Sequence, residues 1–139
     1  MSKEEIKNVL STMDCCMMTT IDKNGNINSR PMLHNKAMPN CDEVYFFSLK
    51  KTRKIDDIRA NKNISLAFQN KENTTFIQQR GIAEIVEDKE TMTRHWDKNL
   101  LTWWKEGANT PDICMIRVQV KQIRCWHEGV ETIIEPANK

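Results

Sequence analysis

Two extended runs, Cys16 to Ile21 and Ile27 to Leu33, flank Asp22-Lys23-Asn24-Gly25-Asn26, and this stretch constrains the fold more than any other. Asn-Gly tolerates the positive φ of a tight connection, so the two runs are predicted to pair as an antiparallel hairpin. Pro31 cannot donate to a ladder, which puts that part of the second run at an edge, at a bulge or beside a ligand. Val44 to Ser48 is aromatic and apolar enough for a buried strand. Asn63 to Phe68, Thr74 to Glu87, Ile113 to Val120 and Gln122 to Trp126 read as further strands, the second of them long enough to need a bend at Gly81.

Helical periodicity is confined to short pieces between these strands. Ser2 and Glu5 form a capping box ahead of Ile6, Val9, Leu10 and Met13 on one face. Lys51 to Asn61 carries Ile55 and Ile58 among polar residues, with a helix start near Thr52. Asp88 to Glu106 is predicted helical, with Met92, Trp96, Leu100 and Trp103/Trp104 about a turn apart, and Gly107 and Pro111 end it. The tail from Glu135 is expected to be loosely ordered. About six strands and two or three short helices, without βαβ alternation, predict a mainly β fold: an antiparallel barrel with attached helices. At 139 residues the chain reads as one domain, 1–139.

Charge and motif content narrow the function. A net charge of +2, from 21 basic residues mixed with 19 acidic ones, gives no nucleic-acid surface. No apolar run approaches a membrane span, and the charged opening Met1-Ser2-Lys3-Glu4-Glu5 lacks the apolar core of a secretory signal, so the cytoplasm is the expected location. The five cysteines show no C-x-x-C and no His at metal-ligand spacing, and read as reduced thiols. Of the adjacent Cys15 and Cys16, one must point inward. No metal site is expected, and nucleophile-elbow, P-loop, dinucleotide-fingerprint and zinc-protease motifs are absent.

Three segments could carry chemistry. In Phe47-Ser48-Leu49-Lys50-Lys51-Thr52-Arg53-Lys54-Ile55 a strand ends and a helix begins, a junction that suits an anion. Helix-terminal N–H groups face the guest, Arg53 and Lys54 add charge, and Ser48 and Thr52 add hydroxyls. Phosphate is the natural guest, and a solvated charge run is the plain alternative. Ser29-Arg30-Pro31-Met32-Leu33 combines an arginine, a ladder-breaking proline and apolar side chains, a setting for a flat aromatic ligand or simply an edge strand. Trp126, ending a late strand, could wall a planar cofactor or close the barrel core. Among the histidines, His34 stands nearest to these residues.

Thr19-Thr20-Ile21 with Gly25, Ser29-Arg30-Pro31-Met32, Phe46-Phe47-Ser48 with Thr52-Arg53-Lys54, Gly81-Ile82-Ala83-Glu84 and Trp126, taken in order, resemble the pyridoxamine 5′-phosphate oxidase-like family of split β-barrels that bind flavin mononucleotide (FMN). His95-Trp96, Leu100, Trp103 to Gly107 and Pro111-Asp112 are similar to the helical insertion of its general-stress-protein branch. The resemblance implies a Greek-key-like barrel and a homodimer with two flavin sites at the interface. It implies that Ser48, Arg53 and Lys54 hold the phosphate and ribityl chain. Arg30, Pro31, Met32 and Leu33 would lie along the ring system, with Phe47 beside them and Trp126 helping to wall the site. Two departures stand out. The oxidase carries Arg-Leu-His-x-Arg near its C-terminus, whereas this chain has Val130-Glu131-Thr132-Ile133-Ile134-Glu135, so true pyridoxamine phosphate oxidation is not expected. A lysine five positions after the strand arginine is replaced by Asn35, and Lys36 could serve only in a shifted register.

The resemblance implies a flavin-dependent oxidoreductase that takes electrons from a reduced nicotinamide donor and acts on an unidentified small-molecule substrate. The alternatives are a non-catalytic flavin-binding or stress protein, and the same fold holding a deazaflavin or a haem.

Overall fold

The computed structural model describes residues 1–33, 41–96 and 104–136. The chain opens with helix α1 (Lys3–Leu10), whose first turn is closed by the predicted box: the Ser2 hydroxyl accepts from the Glu5 N–H while the Glu5 carboxylate accepts from the Ser2 N–H. Strands β1 (Cys15–Ile21) and β2 (Ile27–Leu33) follow as the expected hairpin, paired from Ile21 with Ile27 to Cys15 with Leu33. Its turn is held by Asp22, whose carboxylate accepts from the N–H groups of Asn24 and Asn26, and Gly25 takes the positive φ of 82°.

Next come β3 (Glu43–Leu49), α2 (Arg53–Ala60), β4 (Asn63–Gln69), β5 (Thr75–Val86), α3 (Lys89–Arg94), a 3-10 turn at Gly107–Asn109, β6 (Ile113–His127) and β7 (Val130–Ile134). All ladders are antiparallel. The order across the sheet is β2-β1-β4-β5-β6-β3, and β7 pairs with the second half of β6. Inward residues of β1 through β6, among them Met18, Met32, Phe46, Leu66, Ile77, Ile116 and Ile123, form one buried cluster with Ile6 and Leu10 of α1 and Ile55 and Ile58 of α2. Inner faces that meet in one core require the sheet to curl on itself. Among the described residues its end strands, β2 and β3, share no ladder, so the barrel stays open along one seam.

Three predicted elements came out differently. The strands expected at Ile113 to Val120 and Gln122 to Trp126 are one strand, because Lys121 is the extra residue of a bulge: Arg80 faces Gln122 while Gly81 faces Val120. The bulge shifts the alternation, so Val118 and Val120 point inward before it and Ile123 and Cys125 after it. Gly81 sits at the same kink, as the bend required, and a Cβ there would run into the Gln119 carbonyl oxygen.

Of the helix predicted from Asp88 to Glu106, the described residues form a six-residue helix, Lys89–Arg94, and 97–103 lie outside the described residues. Asp88 caps it, and it ends at His95, where the chain turns to lay Tyr45 against His95 (4.1 Å between centroids) and Phe47 against the Trp96 ring (4.6 Å). Aromatic docking onto β3 thus overrides the helical period. Trp96, Trp104, Met92 and Phe47 belong to a second, smaller core outside the barrel. Strand β7, unpredicted, follows a two-residue Glu128-Gly129 turn with both residues at positive φ. His34, Asn35, Lys36, Leu100 and Trp103 lie outside the described residues.

Candidate functional site

The open seam is where Pro31, Met32, Leu33, Phe47, Ser48 and Lys54 of the sequence-predicted site residues gather. Edge strands leave one row of backbone N–H and C=O groups unpaired, and β2 and β3 turn those rows toward the gap. A cleft of about 490 Å³ lies there. Pro31, Met32 and Leu33 line it from β2, and Phe47, Ser48 and Leu49 from β3. Thr52 and Lys54 close one end, and Cys15 and Trp104 complete the wall. The volume falls within the roughly 300–1,000 Å³ of small-molecule sites. Pro31 stands on an edge strand, as its missing N–H demands.

At the end of the cleft near Lys54, α2 begins without a side-chain cap. The Thr52 hydroxyl donates to the Leu49 carbonyl at 3.0 Å and lies 3.4 Å from the Ser48 hydroxyl, so it does not serve the helix. The first N–H of α2 to find a helical carbonyl is that of Asp56, on Thr52 at 3.3 Å. The preceding N–H groups keep their donor capacity and the positive end of the helix dipole. Lys54 is half-buried, and its ammonium is held below the usual lysine range by burial and then by the charge of Arg30. A helix terminus and a desolvated ammonium make a donor set that fits a phosphate, and the Ser48 and Thr52 hydroxyls, which donate to the Leu49 carbonyl at 3.2 and 3.0 Å, join it by turning from that carbonyl to the anion.

Arg30 approaches this end from the inner face of β2. Its Nη1 donates to the Thr20 hydroxyl at 2.8 Å and the Met18 carbonyl at 3.2 Å, and its Nη2 lies 3.5 Å from the Asp57 carboxylate. It does not line the cleft, but it is close enough to act on Lys54. Arg53 is exposed and outside the cleft wall. Successive helical residues point about 100° apart, so with Lys54 turned inward Arg53 turns out.

Trp126 lines a second, open cleft of about 710 Å³ on the outer face of the sheet, where the Arg124 guanidinium lies 4.9 Å from its ring centroid. Its neighbour Cys125 is the inward one, so strand alternation sends Trp126 outward rather than to the rim of the core. The two clefts adjoin at Cys15. Of the adjacent cysteines, Cys16 is the buried one, and burial followed by its neighbour Cys15 pushes its thiol up to about 12. All five cysteines are free thiols.

The sequence reading missed Cys15 and Leu49 as cleft residues, since both enter through strand pairing. Trp104 was read only as part of a helix. Asp57, the buried partner of Arg30, carried one signal: it stands three residues after Lys54, on the same helical face. Among the described residues no helix is long and apolar enough to cross a membrane, and no group of three or more His, Cys, Asp or Glu is arranged to hold a metal.

Comparison with known proteins bears on the fold and family. A curated relative, the protein bli-3 of Neurospora crassa, is 24% identical over 125 residues, covering 84% of this chain. The chain spans about 60% of that relative's length. A crystal structure from Clostridium acetobutylicum, described as related to general stress protein 26 of B. subtilis, superposes with a TM-score of 0.83 at 16% identity, covering 96% of this chain and 93% of that one. General stress protein 26 of Bacillus anthracis superposes at 0.78 with 21% identity, covering 96% and 97%. Both likenesses identify the seam-bearing sheet as a split β-barrel. The family model described as pyridoxamine 5'-phosphate oxidase like matches residues 1–136, and the chain belongs to that family.

Proposed function

We propose that the chain is a flavoprotein that holds FMN in the seam cleft, with the phosphate at the start of α2, and that it works as an oxidoreductase of the general-stress-protein branch. The observation that carries this reading is the meeting, in one cleft, of an uncapped helix N-terminus, the hydroxyls of Ser48 and Thr52, the half-buried Lys54 and the apolar walls Pro31, Met32, Leu33 and Phe47. Lys54 and Ser48 hold the phosphate, with Arg30 behind them and Arg53 contributing its backbone N–H and long-range charge. The apolar strands exclude water from a planar ring and leave edge N–H and C=O groups to bond its polar rim. A bound flavin supplies hydride and electron transfer. β7 carries Val-Glu-Thr-Ile-Ile, with no cation for a pyridoxal phosphate, so the substrate is another small molecule.

The chain acts as a homodimer in this reading. Met17, Leu33, Phe76 and Ile133 are 38–53% exposed on the outer face of the sheet, around the cleft that contains Trp126. A second copy covering that face brings both clefts to the interface.

Absorbance and fluorescence titration test the reading. The protein is expected to bind FMN well below micromolar concentration, riboflavin at least about tenfold more weakly, and to pass electrons from a reduced nicotinamide to an acceptor faster than free FMN does. A protein that acquires no flavin spectrum on reconstitution refutes it. A second reading is a flavin-binding stress protein without turnover, and the name general stress protein 26, which two solved neighbours carry or are related to, states no reaction. Bound FMN that a nicotinamide donor reduces no faster than free cofactor would select that one.

A further inference from the structure

α2 buries three residues against the barrel, Ile55, Asp57 and Ile58, and one of the three is an acid. Asp57 is 2% exposed. Its Oδ2 accepts from the Thr20 hydroxyl at 2.7 Å and from Asn28 Nδ2 at 3.2 Å, and lies 3.5 Å from Arg30 Nη2. Asn28 and Arg30 are successive inward residues of β2, and Thr20 faces them from β1, so one carboxylate oxygen gathers donors from two strands. Packing alone gives no reason for an acid here: a buried carboxylate costs free energy that an apolar side chain of similar volume avoids.

What the acid changes is the arginine. Thr20 links the two, accepting from Arg30 Nη1 while donating to Asp57. With Met18 these contacts occupy Nη1 and one hydrogen of Nη2, while Nε–H and the other Nη2 hydrogen have no partner among the described residues. Lys54 stands one turn before Asp57 on α2, and its ammonium feels the Arg30 charge. Two cations side by side repel, and an anchored guanidinium loses less freedom on binding than a mobile one.

We propose that Asp57 is a positioning residue for the anion end of the cleft: it anchors Arg30 behind Lys54, so that the fixed guanidinium charge favours a phosphate that Lys54 holds. This rests on the FMN reading above and adds the residue that sets its preference for a phosphorylated ligand.

Asp57→Asn keeps the size and one acceptor oxygen but removes the charge. FMN and riboflavin are titrated against the parent, Asp57→Asn, Arg30→Ala and the double variant. Asp57→Asn is expected to weaken FMN about tenfold and riboflavin less than about twofold, and to change FMN affinity less than about twofold when Arg30 is already alanine. Unchanged or tighter FMN binding by Asp57→Asn overturns the proposal, leaving Asp57 a mere counter-charge. An equal loss in the Arg30→Ala background also overturns it, by placing the effect in the packing of α2. Should Asp57→Asn fail to fold, Thr20→Val, which removes the linking hydroxyl, is expected to give the same selective loss.

The Arg30 Nε–Hε resonance, followed with inorganic phosphate and no flavin, separates this inference from the FMN reading. Phosphate is expected to shift it in the parent and not in Asp57→Asn. That result in a protein that binds no FMN keeps the role of Asp57 and discards the flavin. A resonance that phosphate leaves unmoved in the parent, with no FMN binding, discards both.

Discussion

Lys54 carries the most specific consequence at the scale of single residues. A phosphate oxygen needs the protonated amine, and burial with the Arg30 charge already holds Lys54 below the ordinary 10.5. Binding an anion raises that value again, so FMN affinity should fall as pH rises through the lowered one, and protons should be taken up on binding in that window. Lys54→Arg, which stays charged, should flatten the fall. Titrations between pH 7 and 10 check this, and a profile that riboflavin shares would place the titrating group elsewhere. Gln79 offers a separate test. It is fully buried on β5, with neither amide atom partnered among the described residues. Gln79→Met removes that desolvation cost at similar volume and should stabilise the protein by about 1 kcal/mol, seen as a rise of a few degrees in Tm. A fall in Tm would mean that an internal partner serves the amide.

At the scale of elements, the ends and the bend were legible where one residue type has one physical use. The Ser2/Glu5 box, the Asn24-Gly25 turn, Pro31 on an edge and Gly81 at a kink were all readable in the sequence for that reason. Gly81 is the element most exposed to test: the Cβ of Gly81→Ala would meet backbone rather than a movable side chain, so the bulge must shift at a cost of about 1–3 kcal/mol. Chemical denaturation checks it, and a neutral substitution would show that the two strands can part locally. Legibility failed where distant packing decides. Lys121 looks like a strand end because a bulge resets the alternation there, and α3 stops early because Trp96 docks on Phe47. β7 was missed because its partly exposed residues show no apolar alternation to read.

The candidate site was legible to the same degree, because the whole molecule assembles it from two distant edges. Pro31, Met32, Leu33, Phe47, Ser48 and Lys54 were readable, since an interrupted edge strand and a strand-to-helix junction are local signals. Cys15, Leu49 and Trp104 join them only once the sheet curls, and Arg53 and Trp126 point away from the seam for reasons of helical and strand periodicity. The outer face is the other feature at this scale. If a second copy covers it, Phe76→Glu, which puts a charge amid that apolar surface, should turn a dimer into a monomer and weaken FMN at least about tenfold. Analytical ultracentrifugation reads the first effect, and tight FMN binding by a monomer would remove the interface from the account.

If the seam cleft binds a flavin by its phosphate at the start of α2, Lys54→Ala titrated with FMN and with riboflavin should separate the two ligands. A hydrogen bond to a charged group contributes roughly 1.5–3 kcal/mol, so FMN should bind about ten- to a hundredfold more weakly. Riboflavin, which has no phosphate, should bind within about twofold of the parent value. Equal losses for the two ligands, or no loss for either, would mean that Lys54 holds no phosphate in this cleft.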